Sequence, residues 1–124
     1  MPFTATCHCG ATRLEVDRLP EAVTACTCTY CSKVGGLWAY YEPGEVRVRA
    51  DAEDRSYTAT GINDHHFCGR CGCTTHGISP AFTEAHIGSG TLPEEKRWSI
   101  NARLFDGVDL AAIPVREIDG RNLW

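Results

Sequence analysis

Between Glu45 and Ala50 apolar and charged residues alternate, with Val46, Val48 and Ala50 on one side and Glu45, Arg47 and Arg49 on the other. A period of two belongs to a half-buried strand, and the preceding Glu42-Pro43-Gly44 is a turn signal. Arg13-Leu14-Glu15-Val16 alternates in the same way, and further strands are expected near 22–26, 36–41, 55–60, 64–68, 73–78 and 98–103. Turn-forming residues recur roughly every ten positions, the spacing of short antiparallel strands. Helical periodicity is scarce: Asp109 can cap a single turn over Leu110–Ile113 before Pro114 stops it. The stretch from Ser79 to Lys96 keeps neither period and holds two prolines and two glycines, so it reads as a long surface loop. The pattern predicts one all-β domain over residues 1–124, built of short antiparallel sheets.

Composition sharpens this picture. A chain of 124 residues supports one domain with a modest core. Many short strands cost heavy ordering entropy for limited apolar burial, so something besides the core is expected to hold the fold. Twelve Lys and Arg against sixteen Asp and Glu give a net charge of −4, which argues against a nucleic-acid protein held by a basic face. No apolar run approaches the ~18 residues of a membrane helix, and the first residues through Cys7 lack the basic start and apolar stretch of a secretory signal. The expected location is the cytoplasm, where eight cysteines are metal ligands or reactive thiols more often than disulfides.

Those cysteines fall into three clusters: Cys7-His8-Cys9, Cys26-Thr27-Cys28-Thr29-Tyr30-Cys31, and Cys68-Gly69-Arg70-Cys71-Gly72-Cys73. Residues i and i+2 of an extended chain share a face, so Cys7 and Cys9 can offer two sulfurs to one ion. Cys68 and Cys71 have the spacing of a zinc knuckle, and Gly10 and Gly72 let the backbone turn away with positive φ. Two such pairs make the closed tetrahedral set of a structural zinc, whereas an i, i+2 disulfide fits the required geometry poorly. Cys26, Cys28 and Cys31 supply three thiolates within six residues. Three ligands with one position open is the arrangement of a catalytic zinc; a closed second site, with Cys73 or a histidine as fourth ligand, uses the same spacing. Iron also fills tetrahedral sulfur sites.

The remaining chemistry-bearing residues have bland readings. His8 points away from its flanking cysteines and is expected in solvent, and of His65 and His66 at most one can face the site. His76 and His86 are expected to be ordinary polar residues, Cys73 a small buried hydrophobe, and Trp38, Tyr40 and Tyr41 core more than pocket wall. Arg47 and Arg49 lie on a solvated strand face.

The order C-x-C-G, C-x-C-x-x-C, F-C-x-x-C-G, N-x-R and G-V-D-L resembles the glutathione-dependent formaldehyde-activating enzyme family, also called the centromere-protein-V-like family. The matching residues are Cys7-His8-Cys9-Gly10, Cys26 through Cys31, Phe67-Cys68-Gly69-Arg70-Cys71-Gly72, Asn101-Ala102-Arg103 and Gly107-Val108-Asp109-Leu110. The closing Asp119-Gly120-Arg121-Asn122-Leu123 is also similar to bacterial members. The resemblance implies a zinc-stabilised β-tent (Mss4-like) fold with two zinc ions per chain. It implies a structural zinc on Cys7, Cys9, Cys68 and Cys71, and a catalytic zinc on Cys26, Cys28 and Cys31. The implied activity is a carbon–sulfur lyase reaction, condensation of formaldehyde with glutathione to S-hydroxymethylglutathione. Its partners would be a small thiol such as glutathione and a small aldehyde, with no nucleic acid or membrane. Members similar to the type enzyme often carry a basic pair after the third cysteine of the trio, where Ser32-Lys33-Val34 leaves only Lys33. The competing class is a non-enzymatic zinc-stabilised binding module, because this fold also serves binding proteins.

Overall fold

The alternation of the second strand is realised side chain by side chain: Thr12, Leu14 and Val16 are fully buried while Arg13 faces solvent. The structure, a computed structural model, describes residues 2–50, 52–82, 86 and 89–123. Its strands are β1 (Phe3–Thr6), β2 (Thr12–Val16), β3 (Val23–Cys26), β4 (Trp38–Tyr41), β5 (Arg47–Ala50), β6 (Asp54–Tyr57), β7 (Asp64–Cys68), β8 (Thr74–Pro80), β9 (Lys96–Asn101) and β10 (Val115–Ile118). Two single-turn helices, α1 (Cys31–Val34) and α2 (Gly120–Leu123), complete the chain with 3-10 turns at Pro43–Glu45, Ala102–Leu104 and Leu110–Ala112.

The expected all-β domain is what forms. One sheet has the order β1-β2-β5, the other β10-β3-β4-β9-β8-β7-β6. The core joins them: Ala5, Leu14 and Val16 of the small sheet pack with Val23, Ala39, Tyr41 and Ile100 of the large one, and Phe105 and Val46 close the edges. The Tyr41 hydroxyl donates to the Arg18 carbonyl at 3.1 Å, so this buried phenol keeps a polar partner. Asp106 ties the two ends of the small sheet's entry, accepting from Thr4 and Thr6 hydroxyls at 3.1 and 2.6 Å.

Several expectations are corrected. The sheets are not all small and antiparallel, since seven strands share one sheet and β10 runs parallel to β3. β10 has no hydrophobic period because all four of its residues are exposed, and β1 hides its strand character in threonines. The strand expected at 55–60 ends at Tyr57, that at 98–103 is shifted to 96–101, and residues 102–104 turn instead. Both ends of the expected 79–96 loop belong to strands, Ser79 and Pro80 to β8 and Lys96 to β9; residues 83–85, 87 and 88 within it lie outside the described residues. The single turn capped by Asp109 is present, with its carboxylate accepting from the Ala111 N–H at 3.1 Å.

His76 is a second kind of correction. It is 2% exposed, stacked between His66 and Trp98 with ring centroids 4.3 and 5.5 Å away. Cross-strand register puts it opposite His66 on β7 and Ile100 on β9, and Thr75 Oγ1 bonds its Nδ1 at 2.9 Å. Its neighbour His66 meets the Asp54 carboxylate through Nδ1 at 3.2 Å. Burial, with the His66 charge adding to it, pushes the His76 pKa down to about 4. An unfolded histidine takes up its proton near 6.5, so the unfolded chain binds more protons between these values. Stability present above pH 6.5 is therefore lost as pH falls toward 4, by about 3 kcal/mol from this residue. His76→Phe, which keeps the stack and removes the titration, is expected to flatten the fall in urea midpoint between pH 7 and 4.5. An equally steep fall in both proteins would show that His76 does not carry it.

Candidate functional site

β1 runs into a turn at Cys7-His8-Cys9-Gly10, and β7 into a knuckle at Cys68 through Cys73. Gly10 and Gly72 adopt φ of 86° and 80°, conformations that side chains with a Cβ rarely take. In the knuckle the Gly72 N–H donates to the Cys68 carbonyl at 2.8 Å and the Cys68 N–H to the Cys73 carbonyl at 2.9 Å. The two turns meet. Cys7, Cys9, Cys68 and Cys71 bring their sulfurs within 4.8 Å of one another, with Cys7–Cys9 at 3.7 Å and Cys9–Cys68 at 3.5 Å. A tetrahedron with metal–sulfur bonds of about 2.3 Å has edges near 3.8 Å, so these four fit a single ion.

Backbone donors are already aimed at the sulfurs. The Cys73 N–H, with that of Cys9 adding to it, brings the Cys71 thiol down to about 5. At Cys9 the Ala11 N–H favours thiolate, but desolvation and the surrounding thiols outweigh it and push this group up to about 11. Burial opposes ionisation of Cys7, yet the Thr12 N–H at 3.3 Å and the Cys9 and Cys68 thiols lower its pKa. Four thiols sharing too few protons is the electrostatic state that a divalent cation relieves. His8 is exposed, as its alternation predicts. Cys73 is half-buried beside Cys71 and His8, at the edge of this quartet and outside it.

The second cluster sits where β3 ends. Cys26 closes that strand, Cys28 lies in the following turn and Cys31 opens α1, and their three sulfurs also lie within 4.8 Å of one another. The Cys28 N–H donates to Cys26 Sγ at 3.4 Å and the Cys31 N–H to Cys28 Sγ at 3.3 Å. Among the described residues no fourth Cys, His, Asp or Glu joins them. Burial raises the Cys31 and Cys26 thiols, whereas the Cys31 N–H and the two flanking thiols overcome burial at Cys28 and lower it. Two shallow depressions, of about 170 and 190 Å³, are lined by Arg18 and Tyr40 with charged neighbours and contain no cysteine.

Three surroundings of the trio involve residues outside it in the chain. Trp38 is core, as expected, at 5% exposure, but its buried Nε1–H has no close acceptor and lies near enough to the Cys31 sulfur to favour its thiolate. Tyr30 stacks on His65, with ring centroids 3.7 Å apart, so His65 faces the trio's loop while His66 turns to Asp54. Burial lowers the His65 pKa, which leaves the ring neutral at pH 7. The N-x-R segment is a brace: Asn101 donates to the Thr74 carbonyl at 2.9 Å, Ala102 to Leu37 at 2.7 Å, and Arg103 Nε to the Gly35 carbonyl at 2.8 Å. Periodicity cannot reveal such long-range contacts.

Gly36 holds Trp38 in place by having no side chain. A Cβ there would lie 2.5 Å from the indole ring. Gly36→Ala is therefore expected to displace the indole from Cys31 and to cost about 1–3 kcal/mol through overpacking, read as a lower urea midpoint together with a shifted Trp emission maximum. A midpoint and emission equal to wild type would remove Trp38 from the description of this site.

A crystal structure of a Rhodobacter sphaeroides protein is similar to this fold with a TM-score of 0.68 and 27% identity, covering 91% of this chain and 99% of that one. No curated protein matches the sequence. Among the described residues no helix is long and apolar enough to cross a membrane. The family model described as glutathione-dependent formaldehyde-activating enzyme matches residues 2–107, which include the cysteines of both clusters and the Asn101-Ala102-Arg103 brace, and the chain belongs to that family.

Proposed function

We propose that this protein catalyses the reversible addition of a small thiol, glutathione or a close analogue, to formaldehyde or a related small aldehyde in the cytoplasm. The reaction is of the carbon–sulfur lyase type. Cys26, Cys28 and Cys31 hold a zinc ion at the reacting site, and Cys7, Cys9, Cys68 and Cys71 hold a second, structural zinc. One observation carries the reading: three sulfurs converge with no fourth protein donor among the described residues. That leaves a position for an external thiol or aldehyde, as a closed site does not.

Zinc held there would supply a lowered thiol pKa and Lewis-acid polarisation of the aldehyde oxygen. The protein's own residues prepare the place. Backbone N–H groups of Cys28 and Cys31 bond the sulfurs and fix their directions. The buried indole N–H of Trp38 adds a donor at Cys31, and Gly35, in a left-handed C-cap at φ 68°, ends α1 directly after the trio. In the addition a carbon–sulfur bond forms, the carbonyl π bond opens, and the thiol proton ends on oxygen, so no electrons are gained or lost. His65, neutral and stacked on Tyr30, is an uncharged base on the same side of the sheet as the trio's loop.

The two clusters should respond differently to substitution. The quartet joins residues 59 positions apart, and structural zinc in small domains contributes about 10–16 kcal/mol of apparent binding free energy that is also folding free energy. Cys68→Ser is expected to give unfolded or insoluble protein, whereas Cys28→Ser, which frees a local loop, is expected to lose about one zinc per chain and stay folded. Zinc stoichiometry by native mass spectrometry and thermal unfolding check both; unfolding of Cys28→Ser as severe as that of Cys68→Ser would make the trio structural. For catalysis, the exchange rate between free aldehyde and thiohemiacetal is measured by two-dimensional exchange NMR at equal protein concentration. Wild type is expected to exceed Cys28→Ser at least tenfold, equivalent to about 1.4 kcal/mol of barrier, and equal rates across several thiols would favour a binding module instead.

A further inference from the structure

A thiol of the glutathione class carries carboxylates, and the segment directly after the trio offers only Lys33 to meet them. The fold brings two more cations to the same loop from far along the chain. β10 pairs with β3 so that Ile118 lies beside Cys26, and the Thr27 N–H donates to the Ile118 carbonyl at 3.0 Å. This places Arg121 over the loop, where its Nε donates to the Thr27 carbonyl at 3.2 Å and its Nη2 to Ser32 Oγ at 3.3 Å. Arg103 reaches the other end through Nε to the Gly35 carbonyl. The two guanidinium groups therefore bracket residues 27–35, and Lys33 sits on the exposed helix α1 between them.

Each arginine is anchored by neutral hydrogen-bond acceptors. The acceptors are two backbone carbonyls and one hydroxyl, and neither guanidinium forms an ion pair among the described residues, unlike Arg18 and Arg47 with Glu45 and Asp17. Asp119, which the Arg121 charge favours as a carboxylate, makes its own hydrogen bonds with Asn122 and Thr27 at 2.6 and 2.7 Å. Nη1 of Arg121 and both terminal nitrogens of Arg103 have no hydrogen-bond acceptor among the described residues. Thr27 adjoins both Cys26 and Cys28, so the Arg121 anchor is about two residue lengths, roughly 7 Å of chain, or less from the sulfurs. A thiol whose carboxylate lies a few bonds from its sulfur spans that distance, and a fixed guanidinium is the group that binds a carboxylate with direction as well as charge.

We infer that Arg121 and Arg103, with Lys33, select thiols that carry a carboxylate. The inference rests on the proposed thiol site and narrows its substrate class. Arg121→Gln, Arg103→Gln and Arg13→Gln, the last altering an exposed arginine on β2, are compared with wild type as zinc-loaded proteins. Binding of glutathione and of 2-mercaptoethanol, which has no carboxylate, is measured by titration calorimetry at low and high salt, with zinc content and melting temperature recorded alongside. Arg121→Gln and Arg103→Gln are each expected to weaken glutathione binding about tenfold and to leave 2-mercaptoethanol binding within about twofold. Arg13→Gln is expected to change neither, and wild-type preference for glutathione to shrink at high salt. Equal loss for both thiols, or loss of zinc with binding, would make the arginines braces of the loop and overturn the inference while leaving the thiol site standing. No loss for either thiol would overturn it as well. Failure of both thiols to bind wild type would overturn the thiol site and this inference together. If Arg121→Gln melts early, Arg121→Lys and the Arg103→Gln result decide.

Discussion

Everything in this domain hangs on the meeting of two turns. The Cys7–Cys9 turn leaves the small sheet and the Cys68–Cys71 knuckle leaves the large one, so their four sulfurs bring the two sheets together. The apolar core lies between the same sheets and is small: Leu14, Ile100, Val16 and Val23 are among its largest fully buried members. Sulfurs this close, with Cys7 and Cys71 favoured as thiolates, make poor glue without a cation. A divalent cation shared by the four would turn this contact into a cross-link between the sheets.

The three-sulfur loop is built on the opposite principle. Its ligands are local, but its surroundings are not. Residues from β4, β7, β9 and the segment after β10 converge on it through Trp38, His65, the Asn101–Arg103 brace and Arg121. A local trio on a long-range scaffold keeps its sulfurs fixed, and among the described residues no fourth donor joins them. Preorganised donors around an accessible position are what a site needs when its substrates bring little binding energy of their own.

How legible this was depended on the range of each interaction. Cysteine spacing, the glycines at 10 and 72 and the alternation of Thr12–Val16 are local signals, and each has its expected place in the fold. His8 in solvent and the opposite facing of His65 and His66 follow from the same period of two. What failed was non-local. β10 shows no period because all its residues are exposed and held by backbone pairing with β3, and His76 is buried because β7 and β9 flank it. Trp38 read as core and is core, yet the same ring also serves the trio, a double role that burial preference does not reveal.

The parallel pairing of β10 with β3 also sets an order in time. A ribosome releases the chain from its N-terminus at about 5–20 residues per second. All four sulfurs of the quartet have emerged once Cys71 is made, whereas the three-sulfur loop gains the strand beside Cys26 only after Ile118, seconds later. The strand beside Cys26 is thus the last of the sheet to be made, and the three-sulfur loop reaches its full backbone pairing only when the chain is nearly complete.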